Sequence, residues 1–300
     1  MIAIIIPYFK LAYFEATLRS LASQTDKRFK VYICDDASPE NPLDLLKNFK
    51  GQFDYVNHRF ESNLGSISLT EQWERCILLT QDEQWLMLLG DDDYLDESVV
   101  ASWYKQYDTF NRKSNVIRFA TKRVDEETQS ISKAYTHPVW EVATDSFYRR
   151  FKGQTRSSLS EYIFSKKSFL KFKFSNYPLA WHSDDKAWID FSNHKPIYTI
   201  NRSTVFVRIS NISITGKTDN NDLKNIASAQ FLKDIIVQNL HLFTKQQRLE
   251  ILYAYERAVQ RNKLISFTEW FSICGLYLEN FNSRIFIKFS IRFLKSTFRL

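Results

Sequence analysis

Trp85-Leu-Met-Leu-Leu-Gly90-Asp91-Asp92-Asp93-Tyr94-Leu95 is the stretch on which the reading of this chain turns. Five mostly apolar residues of strand length run into a glycine and then into three consecutive carboxylates. Adjacent like charges repel, and carboxylates at a buried strand end lose hydration, so something must compensate them. A divalent cation with a preference for hard oxygen ligands, magnesium or manganese, would do so. Because magnesium leaves most of its positions to water and substrate phosphates, the triplet suggests a metal–diphosphate site. The competing reading is a solvated acidic turn ahead of the next helix, with Asp96 as its N-cap. Taken alone, the triplet leaves the two readings equally open.

Working outward, strand-like and helix-like patterns alternate over the first hundred residues. Ile2–Ile6 and Val31–Cys34 are apolar runs of the kind covered on both faces of a sheet. Leu11, Phe14, Leu18 and Leu21 recur at helical spacing, as do Val99, Val100, Trp103 and Tyr107. Ser68 with Glu71 suggests a capping box. Such alternation predicts a parallel α/β sheet, since parallel strands need crossover helices. Acidic loops follow two of the strands, at Asp35–Asp36 and Asp91–Asp93, on the side where open α/β sheets bind ligands. After Ala120 the pattern changes. Thr121–Tyr135 is polar and predicts a hairpin or excursion, Ser160–Phe164 and Pro196–Ile209 read as strands, and the period from Asp222 onward is helical.

Composition narrows the class. Three hundred residues with abundant aromatics and six dispersed glycines make a packed globular chain, and they contain no G-x-G-x-x-G or Walker loop. Phosphate charge would therefore have to be met by metal and basic side chains. The net charge of +7 favours anionic partners. Cys34, Cys76 and Cys274 are too scattered for a disulfide framework or a zinc cluster. Met1 leads straight into a strand, and no apolar run approaches the ~18 residues that span a bilayer. The expected location is cytoplasmic, at most peripheral at the inner face of the plasma membrane.

Four ordered pieces then resemble the family 2 glycosyltransferases of the GT-A fold: "IAIIIPYFK", "VYICDDASPEN", "ESNLGSISLTEQWERCI" and "WLMLLGDDDYLD". The resemblance implies an inverting, metal-dependent enzyme using Mn2+ or Mg2+. Its donor would be a nucleotide-diphosphate sugar of the UDP-sugar kind, and its acceptor a glycan or lipid-linked glycan of a bacterial surface polysaccharide. No nucleic acid partner is expected. By the same resemblance Pro7 and Tyr8 would line the base pocket, and Asp36, with Asp35 beside it, would accept from the uracil imide. Asn63 and Gly65 would shape the loop under the nucleotide. Arg59 would meet base or phosphate, or stay solvated. Asp91, Asp92 and Asp93 would hold metal and ribose. Gly90 stands where the family often has its first acid, so Asp92 is favoured as metal ligand and Asp91 for ribose or metal. Trp181-His-Ser-Asp184-Asp185 occupies the place of the catalytic acidic pair, with Asp185 preferred as base and Asp184 next. Arg208 and Lys217 would face the diphosphate.

The expected organisation is a catalytic domain over 1–215, with a nucleotide-binding half 1–110 and an acceptor-binding half 111–215. A helical extension, 216–300, would follow. In its last segment Arg284, Lys288, Arg292, Lys295 and Arg299 recur at helical steps that would place them on one face, beside apolar residues. Such a helix could lie on an anionic membrane surface or dock on the core. Two rivals to the transferase reading are a sugar nucleotidyltransferase and a glycosyltransferase-like scaffold without turnover. The first would want a glycine-rich loop after the opening strand, which is lacking.

Overall fold

The computed structural model describes residues 1–211, 213, 216–217, 219–262 and 266–298. The chain forms two compact units, Met1–Asp219 and Asn220–Leu300.

The first unit runs β1 (Ile2–Tyr8), α1 (Phe14–Ala22), β2 (Phe29–Asp35), α2 (Leu43–Lys47), β3 (Asp54–Arg59), α3 (Leu69–Ile77), β4 (Trp85–Leu88), β5 (Tyr94–Leu95) and α4 (Val99–Phe110). It continues with β6 (Val116–Asp125), β7 (Ser130–Ile131), β8 (Trp140–Glu141), α5 (Ala143–Phe151), β9 (Tyr162–Ser165), α6 (Lys166–Phe172), α7 (Ser183–Ser192) and β10 (Ile197–Ile209). The main path of the sheet is ordered β3-β2-β1-β4-β9-β6-β10-β5. Its first four strands are mutually parallel. β9 runs antiparallel to both β4 and β6, and β10 returns parallel to β6.

Strand β1 shows why an unbroken apolar run marks a central strand. Ile2, Ile4, Ile6 and Tyr8 pack into one core with Phe14, Leu18, Val99 and Trp103, from α1 and α4. Ala3 and Ile5 face the opposite core, with Trp73 and Cys76 of α3, Phe169 of α6 and Trp188 of α7. Alternate side chains of one strand thus feed two cores, the signature of a sheet covered on both faces. The polar Thr121–Tyr135 segment is a hairpin, in which β6 pairs with β7 and Thr121 bridges Tyr135.

The order β3-β2-β1-β4 places the reversal of strand order between β1 and β4, the switch point at which a crevice opens beyond the strand ends. The Asp91–Asp93 loop leaves β4 there. It does not cap the next helix: Ser98 is the N-cap of α4, and Asp96 Oδ1 accepts from the Ser98 amide at 3.0 Å.

The second unit contains α8 (Asn221–Asp234), α9 (Lys245–Arg261), α10 (Phe267–Glu279) and α11 (Ser283–Phe298). Thr244 and Gln247 form a complete capping box at the start of α9. The expected single cationic face of the last helix is corrected here. Arg292 turns inward and forms a bidentate pair with the fully buried Glu256. Arg299 lies outside the described residues. Phe289 packs against Trp270 and Tyr277, whereas Ile287, Ile291 and Leu294 are exposed along one face, next to exposed Arg284, Lys288 and Lys295. Among the described residues, no helix is long and apolar enough to cross a membrane.

Candidate active site

The acidic triplet is pinned from three sides. Asp91 Oδ2 accepts from the amides of Phe9 and Lys10, both at 2.9 Å, which ties the end of β4 to the exit of β1. Asp93 Oδ1 accepts from the Arg208 amide at 2.8 Å, and Oδ2 from Ser160 Oγ. Thr17 Oγ1 donates to the Asp93 carbonyl at 2.7 Å. Burial first, and the Asp92 charge second, push Asp91 up to about 6 and Asp93 up to about 7. Asp92 is raised as well, by loss of hydration, against the opposing charges of Lys10 and Arg208.

This donor set suits a hard divalent cation. Asp91 and Asp93 are engaged by protein donors, while Asp92 feels the opposing charges of Lys10 and Arg208. A Cβ on Gly90 would lie 3.0 Å from Asp92 Oδ1 and 3.1 Å from Asp93 Oδ2, so glycine leaves those oxygens room. Among the described residues no group of three or more His, Cys, Asp or Glu forms a ready cage. A cation shared with substrate phosphates needs only one or two carboxylates.

At the neighbouring strand end, Asp35 and Asp36 are buried and heavily used. Asp35 Oδ1 accepts from the Ser38 amide at 2.8 Å, and its Oδ2 meets Arg59 Nη1 at 2.6 Å. Asp36 takes the amides of Leu64 and Gly65 at 2.9 and 2.8 Å and pairs with Arg75. Gly65 is required by that approach, since a Cβ there would come within 2.6 Å of Asp36 Oδ2. Asn63 Oδ1 closes the loop onto the Ser66 amide at 2.9 Å. Arg59 is ion-paired rather than merely solvated. Tyr8 is fully buried, its hydroxyl donating to the Glu40 carbonyl at 2.7 Å, while Pro7 is half-buried. Tyr8 therefore supports the floor beneath the β1 exit instead of lining an open pocket.

The second acidic pair lies in the first turn of α7, where the helix dipole favours anions. Asp185 is buried. Arg150 Nε reaches its Oδ1 at 2.9 Å, and His182 Nδ1 its Oδ2 at 2.8 Å. Asp184 is half-buried and pushed up to about 7, chiefly by loss of hydration and then by the charge of Asp185. The approach to this turn is strained, with Leu179, Ala180 and His182 all at positive φ.

Arg208, expected to face the diphosphate, lies at the triplet. Beyond its amide contact to Asp93, its Nε donates to the Asp92 carbonyl at 2.9 Å, it pairs with Glu126, and it stacks 4.3 Å from the Tyr13 ring centre. Lys217 is exposed in the segment after β10. Sequence reasoning missed Lys10, Arg75, Glu126, Arg150 and Ser160 as site residues. Lys10 carried a usable signal, being a cation two residues past the end of an ascending strand. Arg150 and Ser160 reach the site from elements remote in sequence, and nothing local marks them.

The profile of Glycosyl transferase family 2 matches residues 3–176. Among solved structures, S. aureus TarS residues 1–349 in complex with UDP-GlcNAc superposes with a TM-score of 0.65 at 13% identity, over 95% of this chain and 82% of that one. The same protein in complex with UDP gives 0.63 at 14% identity, with the same coverage. Likeness at this identity shows the shared fold, the GT-A architecture. A search of curated proteins gives no match.

Proposed function

Because the chain belongs to glycosyl transferase family 2, we propose that it is a metal-dependent, inverting enzyme that moves a sugar from a UDP-sugar to a hydroxyl of a glycan acceptor. The observation that carries the reading is the acidic triplet at the switch point of the sheet, bound by the Lys10 amide on one side and by Arg208 on the other. Solved neighbours hold UDP-GlcNAc and UDP, which supports a uridine nucleotide here.

In this reading Asp92, assisted by Asp91 and Asp93, would hold Mn2+ or Mg2+. The bound cation would neutralise the diphosphate as it leaves. Lys10 and Arg208 supply further positive charge on the same side. The uracil would lie near Asp35 and Asp36, whose present partners Arg59 and Arg75 would fix or yield the carboxylates. Lys217 would approach the diphosphate from the segment after β10.

The Asp184–Asp185 pair would take the acceptor proton. Arg150 and His182 orient Asp185, the preferred base, and Asp184 sets the pH at which the pair loses its last proton. Inversion follows from one carboxylate acting as base without a covalent intermediate. A lipid-linked acceptor of a surface polysaccharide, reached by α11 at an anionic membrane surface, belongs to the same proposal. The exposed Ile287, Ile291 and Leu294, flanked by Arg284, Lys288 and Lys295, support it.

The test is incubation with a panel of nucleotide sugars, with and without manganese, scoring nucleotide release. Manganese-dependent release of UDP from a UDP-sugar is expected. Release from none of them, with or without an acceptor glycan, would sink the reading.

A further inference from the structure

Four arginines gather around the cavity between α5, β9, α7 and β10, whose lining includes Ser146, Arg150, Arg156, Ser157, Tyr162 and Asp185. Three of the four are matched. Arg118 and Arg149 share Glu141, at 2.8 and 2.9 Å from its Oε2. Arg150 holds Asp185.

Arg156 is different. Its Nη1 is buried with no hydrogen-bond partner, and among the described residues no carboxylate forms an ion pair with it. Buried guanidinium N–H groups are rarely left unpaired in folded proteins. The neighbouring Glu161 is fully buried. Its Oε2 is held by Ser158, while Oε1 lacks a partner. Glu161 directly follows Ser160, the residue that holds Asp93. Arg156 lines the cavity that holds Asp185, and its charge also acts on Asp93 and on Glu161. Gly153, at φ +68°, lets the chain reverse after α5 to bring it there.

We propose that Arg156 is an anion-binding residue of the cleft that takes an oxygen of a substrate phosphate or carboxylate. The proposal rests on reading the cleft as the glycosyl-transfer site. The planar guanidinium suits such groups better than an ammonium does. The oxygen has two possible sources: the donor diphosphate, on the Asp93 side, or an acidic group of the acceptor, on the Asp185 side.

Both sources are separated by one pair of titrations on the full chain, wild type against Arg156→Gln and Arg156→Lys. UDP is titrated with manganese present, and inorganic phosphate is then titrated into UDP-saturated protein. A donor source weakens UDP binding by Arg156→Gln roughly ten- to hundredfold, with Arg156→Lys between it and wild type. An acceptor source leaves UDP binding intact but abolishes phosphate binding to the UDP-saturated protein. Arg156→Gln indistinguishable from wild type in both titrations overturns the proposal. If Arg156→Gln does not fold, Arg156→Lys decides, since loss of the fork must weaken one of the two ligands. If wild type binds no UDP, the glycosyl-transfer reading fails separately, and phosphate titrated into nucleotide-free protein still decides on Arg156.

Discussion

The two acidic sites of the first unit are built by opposite means. The Asp91–Asp93 triplet is held largely by backbone: amides of Phe9, Lys10 and Arg208 donate to its carboxylates, and its carbonyls are fixed by Thr17 and Arg208. The Asp184–Asp185 pair is held by side chains, the Arg150 guanidinium and the His182 imidazole, both on Asp185. A backbone cradle keeps its geometry when neighbouring side chains change, whereas a side-chain cradle fails with a single truncation. The first arrangement fits a fixed platform for metal and phosphate. The second fits a group whose protonation has to be tuned.

The largest expected effect separates the two sites by function. Asp185→Asn should keep manganese-dependent UDP binding and lower transfer by about 10³-fold, the range of a lost general base. An active Asp185→Asn would move the base elsewhere, with Asp184 first in line.

Next comes the cradle of the second site. Arg150→Ala leaves the buried Asp185 without its cation and should cost about 3 kcal/mol of stability, read as a drop in the urea midpoint. The matching change at the triplet is milder: Ser160→Ala removes one hydroxyl from Asp93 and should cost about 1 kcal/mol. Equal losses would erase the distinction between backbone and side-chain support.

Smaller again is Gly90→Ala. Its methyl group would press on Asp92 Oδ1 and Asp93 Oδ2. Manganese affinity should fall several-fold at a stability cost of about 1 kcal/mol. Unchanged affinity would mean that the carboxylates do not need that space.

The smallest effect is a pH signature. Asp184 is raised to about 7, so the folded chain holds a proton that the unfolded chain releases near the ordinary carboxylate value of about 4. Its contribution therefore lowers stability as pH rises from about 4 to 7. Asp184→Asn should gain thermal stability relative to wild type between pH 5 and pH 8. It should also lose the limb of the activity profile near pH 7. A constant difference in midpoint across that range would show that Asp184 is not raised.

The same contrast governs what the sequence disclosed. The parallel half of the sheet was legible because Ile2–Ile6, Val31–Cys34 and Trp85–Leu89 are unbroken apolar runs, and acids follow the second directly and the third after Gly90. The triplet's partners on β1 were legible in outline, since parallel strands bring their ends together. The antiparallel insertion of β9 between β4 and β6 was not, because Tyr162–Ser165 looks like any short strand and its register depends on distant neighbours. Ser160, Arg150 and Arg156 were hidden for that reason. On α11 helical spacing put the cations on one face, but spacing cannot tell which side faces Glu256. That buried carboxylate draws Arg292 inward and leaves an apolar row outside.

The central claim is that Asp92 anchors a cation-dependent nucleotide site at the switch point of the sheet. Calorimetric titration of UDP into wild type and Asp92→Asn, each with manganese and with chelator, tests it most directly. The account predicts binding to wild type that needs manganese, and an Asp92→Asn variant that stays folded but loses about a hundredfold of that metal-dependent affinity. Manganese-dependent UDP binding of equal strength in both proteins would contradict it.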